Sequence, residues 1–148
     1  MTKGELAKQY FENGCNCAQA VVLAFKDELG LDEKTLFCLS SSFGGGFGRM
    51  REVCGAVSGM TMVAGMKFGY YDPLDNPKKM DNYAQIQKLM KEFAKINGSY
   101  ICRELLDGVK ADNSPNPEKR TQEYYQKRPC SELVKIAADI LEKHFEVK

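Results

Sequence analysis

Cysteine is the residue type in this sequence with the most chemistry to offer. Six are present, at 15, 17, 38, 54, 102 and 130, in a chain with one His and no Trp. Thiolates attack disulfides, bind soft metals and hold iron–sulfur clusters, and each role depends on a thiol that ionises readily. With one imidazole in the chain, mononuclear His-based metal sites and chemistry needing two imidazoles are excluded. No two cysteines form a CxxC, so zinc knuckles, ferredoxin runs and thioredoxin-type pairs are absent from the sequence. Cys15-Asn16-Cys17 is a CxC. Any site shared by several cysteines must be assembled by tertiary packing.

The elements that would do so read as helices throughout. Leu6, Ala7, Tyr10 and Phe11 form one face of a first helix, closed by Asn13-Gly14. Asn16, with Gln19 three residues on, has the form of a capping box. It opens a helix with Ala18, Val21, Val22, Phe25 and Leu29 on one side and Gly30 at its end. Asp32 caps a short helix towards Phe37 or Leu39. The run Ser40-Ser41-Ser42-Phe43-Gly44-Gly45-Gly46-Phe47-Gly48-Arg49 is a loop of unusual backbone freedom.

A helix is expected from about Met50 to Phe68. Its glycines, with Gly55 and Gly59 four apart and Gly65 and Gly69 likewise, suit either close helix packing or a ligand against bare backbone. A connector spans Tyr70 to Lys78. Met80, Tyr83, Ile86, Met90 and Phe93 then mark the buried face of a long helix ending at Asn97-Gly98. Ser99 caps the next helix, through Leu106. Lys110 to Glu118 is a surface loop, and Pro129 to Phe145 forms the last helix, with Leu133, Ile136, Ala137, Ile140 and Leu141 inward. No segment alternates with period two. The expected fold is all-α, a single domain over 1–148, as a helical bundle of about five to seven helices with a glycine-rich loop.

On this map four cysteines fall near helix starts. Cys17 follows its cap Asn16, Cys102 lies three residues after Ser99, and Cys130 follows Lys127, Arg128 and Pro129. Cys54 lies about one turn into its helix, flanked by Arg49 and Arg51. Helix N-termini and nearby cations favour thiolate over thiol, so all four are expected to ionise readily. Cys54 is the expected nucleophile, with Cys17 or Cys102 resolving it. Cys38, in an apolar run, reads as a core filler, and Cys15 could serve either role. Met60, Met62 and Met66 read as core, and His144 as helix-end packing. Glu52 and Glu104 each lie two residues from a cysteine, within range of a proton-shuttle role.

Other functions are excluded or secondary. Placing Gly44 and Gly46 on a dinucleotide fingerprint puts Arg49 where its third glycine belongs, and no Gly-Lys-Ser/Thr follows. The loop could still hold an anion with its amides and Arg49. Lys and Arg total 21 against 20 Asp and Glu, a net charge of +1, which gives no footprint for nucleic acid or a membrane surface. The charge-free stretch Val53–Met66 is too short to span a bilayer. The N-terminal Met1–Phe11 lacks a signal peptide's apolar core, so the chain reads as cytoplasmic, where structural disulfides are rare.

Cys54-Gly55-Ala56-Val57-Ser58-Gly59 fits a CGAxxG motif. Asn16-Cys17-Ala18-Gln19-Ala20-Val21 precedes it, and Cys102-Arg103-Glu104-Leu105-Leu106 and Cys130 follow. With the glycine run, these blocks resemble the C_GCAxxG_C_C family of redox-active proteins over nearly the whole chain. The resemblance implies that Cys17, Cys54, Cys102 and Cys130 are the signature set, with Cys15 and Cys38 outside it. A related four-cysteine region is similar to part of the split-Soret cytochromes, where the cysteines would hold an iron–sulfur cluster beside haem. No CxxCH is present here, so covalent c-type haem is not expected.

The expectation is a redox site built on the four cysteines, in an oxidoreductase or an electron-transfer module with a redox partner. It works either by thiol–disulfide exchange or through an iron–sulfur cluster. Gly55, Gly59 and Arg49 are candidates for contact with a bound group. The alternatives are a zinc site on the same cysteines, or a structural or small-ligand domain with no cofactor. A homodimer through the glycine-bearing helix is compatible with the sequence.

Overall fold

The computed structural model describes residues 1–109 and 111–147; Lys110, the first residue of the expected surface loop, lies outside them. The chain is all-α, with α1 (Lys3–Glu12), α2 (Cys17–Ala24), α3 (Lys26–Leu29), α4 (Glu33–Ser40), α5 (Gly55–Phe68), α6 (Asn76–Asn97), α7 (Cys102–Leu105), α8 (Gln122–Lys127) and α9 (Cys130–Val147). Nine α-helices among the described residues exceed the five to seven expected. The helix expected from 17 to 29 divides at Phe25, and α8 was not anticipated. Among the described residues, none is long and apolar enough to cross a membrane.

α2 is the axis of the core. Every residue from Ala18 to Phe25 is buried, Gln19 included, so the helix is enclosed all round rather than on the one side expected. It packs on α1, α4, α5 and α9, while α1 also lies along α9 and α6 packs across α5 and α9. The capping box at its start forms as the sequence implies: Asn16 Oδ1 accepts from the Gln19 amide at 2.9 Å and Gln19 Oε1 from the Asn16 amide at 3.0 Å. Asp32 caps α4 through the Thr35 amide, and a second capping box, Thr2 with Glu5, opens α1.

Two helix starts differ from expectation. Met50 to Val53 is not helical. Cys54 itself is the N-cap of α5. This segment is stitched to 100–103: the Cys54 amide donates to the Tyr100 carbonyl at 2.8 Å, the Cys102 amide to Glu52 at 2.6 Å, and Val53 bridges Ile101. The Met50, Arg51 and Glu52 amides turn back onto Phe47, Gly45 and Gly46, and the Cys54 amide goes to Tyr100, so none is left to start a helix earlier. Likewise α7 begins at Cys102, and Ser99 serves the turn before it by accepting from the Ile101 amide.

The buried face of α6 is also rotated from the expected one. Asn82, Gln85, Leu89 and Phe93 are buried, whereas Met80 and Tyr83 are exposed. The cause is a polar pair in the interior. His144 on α9 packs edge-on against Phe68, and its Nε2 lies 2.9 Å from Gln85 Oε1. Met60 is buried and Met62 partly so, but Met66 is exposed.

Gly55 and Gly59 serve close packing of α5 on α2. A Cβ at Gly59 would lie 2.8 Å from the Ala18 carbonyl oxygen, and one at Gly55 3.1 Å from the Cys17 Cβ. Gly65 faces open space, and Gly69 meets only its own helix end, so this packing does not extend to the second pair.

Candidate functional site

The glycine loop is the first part of the site. Gly45, Gly46, Phe47, Gly48 and Arg49 all have positive φ, and Arg51 follows at φ 63°. For residues other than glycine this costs about 1–2 kcal/mol each. It is offset by a web of backbone hydrogen bonds: Gly48 to Ser42, Arg49 to Gly44, Arg51 to Gly45 and Glu52 to Gly46. At Gly46 a Cβ would meet the Glu52 nitrogen at 2.6 Å, so the coil closes only around a glycine. The result aims two arginines inward.

Cys17, Cys54, Cys102 and Cys130 all line one cavity of about 390 Å³. Each stands at a helix start: Cys54 is the N-cap of α5, and the other three are the first residues of α2, α7 and α9. The backbone stitch between 51–54 and 100–103 brings Cys54 and Cys102 to one wall. On another, the Cys17 and Cys130 sulfurs are close enough to perturb each other's ionisation. Cys15 and Cys38 are not in the lining. Cys38 is exposed on α4 rather than a core filler, because the buried face of that helix is Leu36 and Ser40.

The charged residues of the lining are Arg49, Arg51, Arg120, Arg128 and Glu118. Glu118 Oε1 is shared by three of these arginines, Arg49 at 3.0 Å, Arg51 at 3.7 Å and Arg128 closer still. Arg120 lies over the Phe11 ring and donates to the carbonyls of Phe11 and Cys15. One carboxylate cannot neutralise four guanidinium groups, so the cavity carries surplus positive charge.

Arg49, expected to face a bound group, has its guanidinium engaged by Asp112, Glu118 and the carbonyls of Ser114 and Asn116. It clasps the segment 111–120, a strap that lines the cavity with Pro115, Pro117, Glu118 and Arg120. Glu52 pairs with Arg103 at 3.2 Å, and Glu104 accepts from Ser99.

Burial reverses much of the expected ionisation. It pushes the Cys54 thiol up to about 12, against the α5 amides of Ala56 and Val57, which favour the thiolate. Cys54 is therefore held as the thiol, where its place at a helix start implies ready ionisation. Cys102 is also raised by burial, with Arg51 opposing it. Cys17 is raised well above the ordinary thiol value, first by its pairing with Cys130 and then by burial. Cys130 alone of the four is lowered, to about 7, by that pairing and by Arg128, Arg120 and Arg51. At Cys54 and Cys102 burial is the larger cause, and repulsion among the sulfurs adds to it, since the first thiolate makes each later one costlier.

Tyr124 was not anticipated from the sequence. Its ring lies 5.0 Å from both the Arg120 and Arg128 guanidinium carbons, and burial together with the Cys130 and Cys17 sulfurs pushes its hydroxyl up to about 12. Glu118, Arg120 and Tyr124 sit in or beside what reads as a surface loop, and no local pattern marks them.

The family model described as "Putative redox-active protein (C_GCAxxG_C_C)" matches residues 15–144. The chain belongs to the C_GCAxxG_C_C family. The matched region contains all four cavity cysteines and the glycine loop. An uncharacterized protein of Archaeoglobus fulgidus is similar, at 26% identity over 132 residues, covering 84% of this chain and 81% of the relative. No solved structure matches.

Proposed function

We propose that Cys17, Cys54, Cys102 and Cys130 together hold an iron–sulfur cluster and that the protein carries single electrons to and from a docked redox partner. The observation that carries this reading is the convergence of four thiols, from four separate helix starts, on one cavity with surplus arginine charge. A dithiol couple needs two sulfurs, whereas iron–sulfur clusters are held by four thiolates. Helix N-termini and guanidinium groups stabilise the negative charge of four thiolates, which would otherwise repel one another. All four donors line the same cavity of about 390 Å³.

When bound, such a cluster supplies one-electron transfer. The chain's own contribution is to hold the sulfurs on rigid helix starts, to offset their charge with Arg51, Arg120 and Arg128, and to shield them from water with the strap. Reconstitution with iron and sulfide tests this. Each of Cys17→Ser, Cys54→Ser, Cys102→Ser and Cys130→Ser should lose or destabilise the bound iron, while Cys38→Ser should retain it. Full iron retention in all four cavity variants would overturn the reading.

The pairing of Cys17 with Cys130 in the cavity wall, where Cys130 alone is lowered, favours a second reading, thiol–disulfide exchange. The Cys130 thiolate would attack a partner's disulfide and release one partner thiolate. Cys17, deprotonated, would then displace the second partner thiolate and close a Cys17–Cys130 disulfide. A mixed disulfide trapped on Cys130 in Cys17→Ser protein would support it.

A further inference from the structure

Arg51 is held unusually firmly for a surface-loop arginine. Its backbone lies in the left-handed region, at φ 63°, and its amide donates to the Gly45 carbonyl at 3.1 Å. Its carbonyl accepts from both the amide and a guanidinium nitrogen of Arg103. Along the side chain, Nε and Nη2 both donate to the Asp112 carbonyl, at 3.0 and 2.9 Å. This fork on one carbonyl fixes the plane of the guanidinium and leaves Nη1 directed at Cys102 Sγ, 3.9 Å away. The residue is buried, and the carboxylate nearest to it, Glu118, is shared with Arg49 and Arg128. A buried cation with a third of a counter-ion is costly unless a further anion stands beside it. The available position is the sulfur of Cys102.

We propose that Arg51 is a positioning residue that sets the reduction potential of the four-cysteine centre by donating a hydrogen bond and positive charge to the Cys102 sulfur. This rests on the iron–sulfur reading above. Reduction adds one electron, and so one negative charge, to the ligated group without making or breaking a bond. A donor on a ligand sulfur stabilises that more negative state and raises the potential. The left-handed backbone is what permits the aim, since the same coil directs Arg49 to the strap and Arg51 to the sulfur.

The test is a potentiometric titration of reconstituted protein against dye mediators, followed by visible absorbance and electron paramagnetic resonance. Arg51→Met should make reduction less favourable by about tenfold in equilibrium constant, a fall of about 59 mV for one electron. Arg51→Lys keeps the charge but not the fork on Asp112, so its potential should lie between those two. Glu118→Gln provides the sign control. It loosens the same strap but removes a negative charge, so its potential should rise or stay, never fall.

An Arg51→Met potential equal to wild type overturns the inference. So does a fall shared by Arg51→Met and Glu118→Gln, which would trace the effect to the strap. If Arg51→Met does not fold, an Arg51→Lys potential at the wild-type value overturns it equally. Wild-type protein that takes up no cluster would defeat the iron–sulfur reading and this inference together. Normal loading with an unmoved potential would defeat this inference alone.

Discussion

Gly55 lies against Cys17: a Cβ built on the glycine would sit 3.1 Å from the cysteine Cβ and 3.0 Å from the Phe43 carbonyl oxygen. The CGAxxG motif is thus a packing device that seats α5 on α2 and brings Cys54 beside Cys17. Gly59 repeats the contact one turn on, 2.8 Å from the Ala18 carbonyl oxygen. Gly55→Ala and Gly59→Ala should each cost about 1–3 kcal/mol through overpacking. Gly65→Ala, with open space at its Cβ, should gain up to about 1 kcal/mol from helix propensity. Urea denaturation of the three variants checks both signs.

Asn16 joins three parts of the site. It caps α2 directly before Cys17, receives the Gln19 amide, and donates from Nδ2 to the Ser41 carbonyl at 3.0 Å. Asn16→Ala should lose about 1 kcal/mol for the cap alone. Asn16→Asp, which keeps the cap acceptor and loses the donor to Ser41, should recover most of it. Thermal melts of the two proteins separate the contributions.

Thiol accessibility should follow burial rather than sequence neighbourhood. Cys38 is exposed on α4, and Cys54 is buried with its thiol held protonated. In reduced, metal-free protein, iodoacetamide followed by peptide mass spectrometry should label Cys38 first and Cys54 last. Equal rates at the two positions would show that α5 does not shelter its cap residue.

Metal-free protein should lose stability in alkali. Cys54 is raised from 9.0 to about 12, and Tyr124 from 10.0 to about 12. Between those limits the folded state keeps protons that the unfolded chain has released, so stability falls as pH rises. The contribution is fully present below about pH 9 and is lost through the window up to about 12. Urea midpoints measured from pH 8 to 11 should decline, and Cys54→Ala should flatten the decline. Cys130, lowered to about 7, has the opposite sign: its contribution is present above the ordinary thiol value and is lost as pH falls through 7.

What the sequence made legible was local. Asn16 with Gln19, Asp32, Gly30 and Gly98 mark helix ends through contacts within a few residues, and each stands where that chemistry puts it. The start of α5 was not legible, because Met50–Glu52 coils back onto the glycine loop while Val53 and Cys54 pair with Ile101 and Tyr100, nearly fifty residues away. The face of α6 was misread because apolar spacing gives no sign that Gln85 would be buried to meet His144. Helix-start placement of the cysteines pointed to easy ionisation, but burial depth, a property of the packed core, outweighed it at Cys54 and Cys102. Glu118, Arg120 and Tyr124 belong to the cavity only because the strap folds back to line it.

Freshly isolated protein tests whether the four cavity cysteines hold an iron–sulfur cluster. Protein purified without oxygen or affinity-column metal should be brown, with broad visible absorbance and with iron and acid-labile sulfide in equal amounts. A colourless, iron-free protein that stays so after reconstitution would contradict the claim. A reversible Cys17–Cys130 disulfide in that same sample would shift the chemistry to thiol exchange.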